Sequence, residues 1–314
     1  MSEDSSRDEA DAPMQASSEF PRPPRPPWSE FRGALEEAGF RPSRQLGQNF
    51  LLDENAARAI ARDAQVSSGD AVLEVGPGCG FLSVHLAHAG VQLLAVEIDD
   101  RLAPIAERFL APYPNARVVV GDILEGKHSL NGSVLAKLPP EGAWHLISNL
   151  PYSVSAPVLA LCAGLECPPI SMTVLIQEEV AQRLLAQPGT REWGPLTVGI
   201  LQSFTPERVR GLAPALFWPR PKVQSTVVRL IRRDGLAPVE LRRFRAAFAA
   251  RLLRQRRQSL ARVLKDMFRS REQAGQLLTS RGIGGEVRAE TLAPDELWGM
   301  AEEARGLGWT PDLS

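Results

Sequence analysis

The chain has 314 residues, 44% hydrophobic and 23% charged, with a formal net charge of −1; this allows one core of ordinary size and a smaller appendage, in a globular composition. No run of about 18 apolar residues free of charge occurs, which excludes a helical membrane span. Cys79, Cys162 and Cys167 form no CxxC pair and the four histidines are scattered, which excludes a disulfide framework and a zinc-ligand spacing, so no metal is expected and a reducing, cytoplasmic setting fits.

Residues 1–30 are acidic and then proline-rich, ending in Pro21-Arg22-Pro23-Pro24-Arg25-Pro26-Pro27-Trp28. They hold too little apolar surface to offset chain entropy and read as a disordered tail, and their polar start is not that of a secretory signal. A short helix is expected over Phe31–Phe40, ended by Gly39 and Pro42. From there aliphatic runs alternate with helical patterns, the mark of a parallel sheet wrapped by helices. Strands are expected at Ala71–Val75, Val91–Val96, Arg117–Val120, Trp144–Ser148, Ser171–Ile176 and Ser225–Ile231. Helices are expected at Gly80–Ala89, Arg101–Leu110, Ala156–Cys162 and Glu178–Ala186. After Gly235 only helical periodicity remains, over Val239–Leu253, Ser259–Met267, Arg271–Thr279 and Pro294–Arg305. The boundary of a helical second domain is therefore set at about residue 235.

The net charge hides an asymmetry. Residues 1–150 carry −8 and residues 151–314 carry +7, and residues 204–271 alone hold 18 basic against 4 acidic side chains. Arg251, Arg254, Arg256 and Arg257 are its densest part. A helix face stabilised by alternating pairs would carry acids at helical spacing, so the stretch points to a polyanion.

The first strand-to-helix junction is Leu73-Glu74-Val75-Gly76-Pro77-Gly78-Cys79-Gly80. Three glycines let the backbone turn off the strand and approach a ligand lying on the sheet edge. The last glycine of a dinucleotide fingerprint would fall at Phe81, so the loop suits a nucleoside without pyrophosphate, such as S-adenosylmethionine. Glu97, 21 residues after Gly76, can accept from both ribose hydroxyls. Asp122 ends the third strand and either accepts from an adenine amino group or is a turn aspartate.

The sharpest signal is Ser148-Asn149-Leu150-Pro151-Tyr152 at the end of the fourth strand. It gathers a carboxamide, a main-chain carbonyl and an aromatic ring, with Pro151 removing a donor and fixing φ. Two acceptors and a stacking face suit a planar amine. The amino nitrogen of adenine is a poor nucleophile, and acceptors at Asn149 Oδ1 and the Leu150 carbonyl favour the pyramidal, charge-gathering form reached as a methyl arrives. Tyr152 then stacks on a base swung out of its helix.

Five segments in order, Arg44-Gln45-Leu46-Gly47-Gln48-Asn49-Phe50-Leu51, Glu74-Val75-Gly76-Pro77-Gly78, Asn149-Leu150-Pro151-Tyr152, Gln177-Glu178-Glu179-Val180-Ala181 and Phe217-Trp218-Pro219-Arg220-Pro221-Lys222-Val223, resemble the ribosomal RNA small-subunit adenine dimethyltransferase family of the KsgA/RsmA type. Arg254-Gln255-Arg256-Arg257-Gln258-Ser259-Leu260 and Arg288-Ala289-Glu290 match its helical tail, and the likeness runs from about 40 to 305. The resemblance implies an α/β fold, a seven-stranded Rossmann-like class I methyltransferase sheet with a small all-helical C-terminal domain. It implies S-adenosylmethionine as cofactor, without a metal, and dimethylation of N6 of two adjacent adenosines near the 3′ end of small-subunit rRNA, a step of ribosome biogenesis. Cofactor contacts carry over to Asn49, Leu51, Gly76, Glu97, Asp122 and Asn149, and Phe217 matches a position that stacks on the target base opposite Tyr152. RNA contacts are expected at Arg220, Lys222, Arg251, Arg254, Arg256 and Arg257, on small-subunit rRNA or a pre-30S particle, by a monomer. The family commonly has Lys at Glu178, Arg at Pro195, an acid at Gln224 and Pro at Arg220, which leaves details of RNA contact open. Two alternatives stay open: the same chemistry on large-subunit rRNA, and an RNA-binding assembly factor without catalysis.

Overall fold

The computed structural model describes residues 25–43, 46–126, 128–268 and 270–311. The expected disordered tail as far as residue 24, and Arg44 and Gln45 of the first motif, lie outside the described residues. In chain order the elements are α1 (Trp28–Glu37), β1 (Phe50–Leu51), α2 (Glu54–Asp63), β2 (Ala71–Val75), α3 (Phe81–His88), β3 (Gln92–Glu97), α4 (Ala103–Leu110), β4 (Ala116–Val120), α5 (Gly132–Leu135), β5 (His145–Asn149) and α6 (Ser155–Ala163). There follow β6 (Ser171–Gln177), α7 (Glu178–Leu184), α8 (Pro195–Leu201), β7 (Phe204–Leu212), β8 (Phe217–Trp218), β9 (Ser225–Arg232), α9 (Val239–Leu253), α10 (Leu260–Met267), α11 (Arg271–Arg281) and α12 (Pro294–Gly306).

Seven strands form one sheet in the order β4-β3-β2-β5-β6-β9-β7. The first five are parallel, and β9 runs antiparallel between β6 and β7. The central strands are apolar on both faces because both faces are covered. Val72, Leu93, Ile147, Leu175 and Val227 pack with Phe31, Ile60, Phe81 and Leu86 on one side. Their neighbours Leu73, Leu94, Leu146, Val174 and Val228 pack with Val158, Leu159, Leu184 and Ile200 on the other. A third cluster joins the C-terminal helices through Phe248, Leu252, Leu264, Leu277 and Met300, and it takes in Trp193 and Val198 from the sheet-bearing part of the chain.

Helix α1 starts three residues before the expected Phe31, after the extended Pro27, and its first residue Trp28 packs edge-on against Phe81 of α3. Helix α2 was not expected. Its signal is Asp53, whose carboxylate accepts from Ala56 N at 2.7 Å as an N-cap. Strand β7 was also not expected: it holds Pro206, Glu207, Arg208 and Arg210 and lies at the sheet edge, where proline and charge are tolerated.

Part of the basic stretch is internal chemistry. Arg242 of α9 is buried and donates to the carbonyls of Ala163 and Leu165, both at 2.6 Å, and to Ser203 Oγ at 2.8 Å. Arg210 pairs with Asp63 at 2.6 Å, Arg229 with Glu207 at 3.3 Å, and Arg208 and Arg245 with Glu178 and Glu302. The expectation that pairing would show as acids at helical spacing fails here, because most of these partners are supplied by other elements.

Candidate active site at the carboxyl edge of the sheet

The ends of β2, β3, β4 and β5 are held level. Gly76 N donates to Val96 O and Gly121 N to Glu97 O, each at 2.8 Å, and the buried Ser148 hydroxyl donates to Val75 O at 2.6 Å. The glycine loop and the Asn149–Tyr152 loop therefore leave the sheet side by side. Gly76, Gly78 and Gly80 all have positive φ, at 67°, 62° and 92°. They are also needed for space, in a way the sequence does not foretell. A Cβ on Gly76 would lie 2.8 Å from Pro151 Cγ, and one on Gly78 would lie 2.8 Å from Phe50 Cε1. The small residues make room for the protein's own ring atoms as well as for a ligand.

Between these loops lies a cleft lined by Gly47, Asn49, Phe50, Leu51, Glu74, Gly76, Gly78, Glu97, Asn149, Leu150 and Tyr152, among others. It continues into a second hollow bounded by Ile98, Gly121, Asp122, Ile123, Pro151 and Val154. Every residue expected to contact the cofactor borders one of the two.

Glu97 is buried, accepting from Gly78 N at 2.8 Å and from Asp99 N at 2.9 Å. Burial raises its pKa, opposed by those two main-chain donors. Glu74, on the strand before the glycines, is buried with Oε2 unpartnered. Burial pushes its pKa up to about 8, and the neighbouring Glu97 adds to the rise. Asp122 is exposed, and its Oδ1 accepts from Leu124 N at 2.8 Å, so it is a turn aspartate that also borders the hollow.

Asn149 Nδ2 donates to the main-chain oxygen of Asn49 at 2.9 Å. That bond fixes which end of the carboxamide is spent and leaves Oδ1 as an acceptor without a protein partner. The Leu150 amide donates to Leu175 O at 3.1 Å, while its own carbonyl takes no donor. The segment that holds Asn149 is itself anchored: Gly47 lies against Tyr152 and Ser153, where a Cβ would come within 3.2 Å of both main-chain nitrogens. Gln48 Nε2 donates to Asp99 Oδ2 at 2.9 Å. Hydrogen bonds from Arg101 hold the Asp99 carboxyl down at about 2. The Tyr152 hydroxyl bonds Ser225 Oγ at 2.6 Å, which fixes the ring across the mouth.

Phe217 is not at that mouth. It is 2% exposed, pairs with Leu51 across the β1–β8 ribbon and belongs to the core. The side chain brought outward is Trp218, at 39% exposure. Two residues of a strand face opposite ways, so burying Phe217 turns its neighbour to solvent. Arg256 also departs from expectation: it donates to Trp193 O at 2.8 Å and faces Glu290 at 3.7 Å, tying the C-terminal helices to the loop before α8. Arg220, Lys222, Arg254 and Arg257 are exposed and Arg251 is half-buried, and none of the five forms an ion pair among the described residues. The sequence assigned no role to Phe50, Ser148 or Ser225, although Phe50 and Ser148 stand inside motifs quoted above and Ser225 opens an expected strand. Among the described residues no His, Cys, Asp and Glu cluster could hold a metal ion, and no helix is long and apolar enough to cross a membrane.

A parallel sheet closed by an antiparallel hairpin, with a glycine loop, an acidic second strand end and an acceptor loop on one edge, defines a methyltransferase of the Rossmann-like class. The family model described as ribosomal RNA adenine dimethylase matches residues 39–305, and the chain belongs to this family of rRNA adenine N6,N6-dimethyltransferases. It is 36% identical over 265 residues to ribosomal RNA small subunit methyltransferase A of Alkaliphilus oremlandii, covering 83% of this chain and 91% of that one. It is 36% identical over 267 residues to the protein of the same name from Shouchella clausii, covering 83% and 89%. Among solved structures, a dimethyladenosine transferase from Plasmodium falciparum superposes with a TM-score of 0.70 at 20% identity, covering 83% of this chain and 98% of that one. The 23S rRNA methyltransferase ErmE superposes at 0.59 with 27% identity, covering 81% and 98%.

Proposed function

We propose that the protein uses S-adenosylmethionine to dimethylate N6 of two adjacent adenosines near the 3′ end of small-subunit rRNA. In this reading residues 31–234 are the methyltransferase domain and residues 235–314 a helical domain that binds RNA or a pre-30S particle, working as a monomer in the cytoplasm. The observation that carries it is the pair of free acceptors, Asn149 Oδ1 and the Leu150 carbonyl, beside a half-buried Tyr152.

The donor set fits the cofactor. Glu74 has a buried oxygen with no partner, which suits an ammonium group, and Glu97 keeps lone pairs for ribose hydroxyls after accepting two main-chain bonds. Asp122 and the apolar Ile98 and Ile123 suit the polar edge and flat faces of an adenine. When bound, S-adenosylmethionine supplies an electrophilic methyl group. Asn149 and Leu150 would accept from the N–H groups of the target amine, two before the first transfer and one before the second, and stabilise the charge gained as the N–C bond forms and the S–C bond breaks; no general base is needed to initiate attack, and the proton shed by the methylated nitrogen passes to water. Tyr152 stacks on the base and holds the nitrogen in line, so orientation contributes alongside electrostatics.

The test is transfer of tritiated methyl from S-adenosylmethionine to ribosomal particles that lack the modification. Label is expected in the small subunit, on two adjacent adenosines. Label confined to the large subunit would assign the substrate there, and cofactor binding without transfer to either would leave an RNA-binding assembly role.

A further inference from the structure

We propose that Trp218 is a stacking platform for the nucleobase next to the target adenosine. This rests on the proposed function, which it deepens. The indole is 39% exposed although tryptophan is ordinarily covered, and the other tryptophans among the described residues are half-buried or buried. It is not a loose side chain. The β1–β8 ribbon sets Trp218 opposite Phe50, with ring centroids 5.8 Å apart, and Leu52 N donates to Leu216 O at 2.7 Å to close the ribbon. Phe50 in turn walls the cleft and packs against Gly78. One ring thickness therefore separates the indole from the cleft that holds the free acceptors.

The surroundings specify the partner. Arg220 and Lys222 follow within four residues, both exposed and without an ion pair among the described residues, and Val223 adds exposed apolar surface at 45%. An open aromatic face beside unpaired cations matches a base with its phosphates, the chemistry of single-stranded RNA. An apolar protein partner would leave both cations without a counter-charge. The other aromatic in the motif, Phe217, is enclosed in the core and offers no face. Stacking here would hold the strand splayed while the target base enters the cleft.

The experiment compares wild type with Trp218→Ala, Trp218→Leu and Trp218→Phe, by methyl transfer to unmodified small-subunit particles and by binding of a fluorescent oligoadenylate. Trp218→Ala and Trp218→Leu are expected to lower kcat/KM roughly tenfold, mostly through KM, and to weaken oligoadenylate binding by a similar factor. Trp218→Phe keeps most of both. Cofactor affinity stays within a few fold of wild type in all three, and the Ala and Leu variants, which lose the same packing on Phe50, differ from wild type in Tm far less than in KM. Wild-type kinetics in Trp218→Ala, or a Leu variant equal to the Phe variant, would overturn the assignment, because an apolar contact would then suffice. Wild-type enzyme that transfers no methyl to the particles would overturn the proposed function, and the nucleobase assignment with it.

Discussion

Replacing Asn149 separates two contributions that the structure couples, an acceptor and the bond that aims it. Asn149→Ala removes Oδ1 and also the 2.9 Å bond to the Asn49 carbonyl. A single acceptor aimed at charge that develops in the transition state is worth about 2.7–4 kcal/mol, so kcat should fall about 10²–10³-fold. Cofactor affinity should stay within a few fold, since Glu74, Glu97 and the glycine loop are untouched. Asn149→Asp is the more telling variant. Its carboxylate is a stronger acceptor for a nitrogen gaining positive charge, yet the oxygen replacing Nδ2 would face the Asn49 carbonyl oxygen at about the same 2.9 Å and be repelled. If aim matters, the Asp variant also loses more than tenfold in single-turnover methyl transfer. Full activity in Asn149→Asp would refute the idea that the Asn49 carbonyl positions the amide, and retained turnover in Asn149→Ala would refute the acceptor role itself.

Glu74 holds its proton to about pH 8 when folded, whereas an unfolded glutamate releases it near 4.5. Between those values the folded state binds more protons, so stability of the cofactor-free protein should fall as pH rises from 5 to 8. Glu74→Gln should flatten that slope in thermal melts; an unaltered slope would place the proton elsewhere. Charge reversal at Arg254 and Arg257 should weaken particle binding and reduce the slope of log K against log salt by about 0.7–0.9 per lost phosphate contact, whereas Arg256→Ala should lower Tm with little change in that slope, because its partners are Trp193 O and Glu290. Phe217→Ala should cost about 3–5 kcal/mol of stability as a core truncation, read as a drop in urea midpoint; an unchanged midpoint would mean that the ring is not packed in solution.

The central sheet was legible because strands buried on both faces write continuous aliphatic runs, as at Ala71–Val75 and Ser171–Gln177. Strand β7 was not, since an edge strand with Pro206 and alternating charge satisfies no burial pattern. The β1–β8 ribbon is too short for a period of two to be read, which is why the exchange of Phe217 and Trp218 between core and surface stayed hidden. Asn149, Pro151 and Tyr152 stood out in the sequence because each residue type offers a group its neighbours cannot, and the structure brings the three to the wall of one cleft. Their supports were not legible. Ser225 is 73 residues from Tyr152, and Asn49 contributes a main-chain oxygen, which no side-chain motif encodes. The same limit governed the basic stretch: Asp63 and Glu302, remote in sequence, neutralise arginines that composition alone counts as free.

What these remote contacts achieve is a fixed separation between the loop that would hold the methyl donor and the loop that would hold the amine. In-line transfer needs reacting atoms about 3–3.5 Å apart, and errors of an ångström are costly. Gly76 lies against Pro151, Ser148 bonds Val75, and Phe50 closes on Gly78, so the two loops cannot move apart without breaking core contacts. The glycines act here chiefly as spacers. A Cβ at Gly76 or Gly78 would force the left-handed backbone into strain and push Pro151 or Phe50 outward. The free acceptors at Asn149 and Leu150 are thus tied to the glycine loop through van der Waals contact, and either loop altered alone would misplace the other.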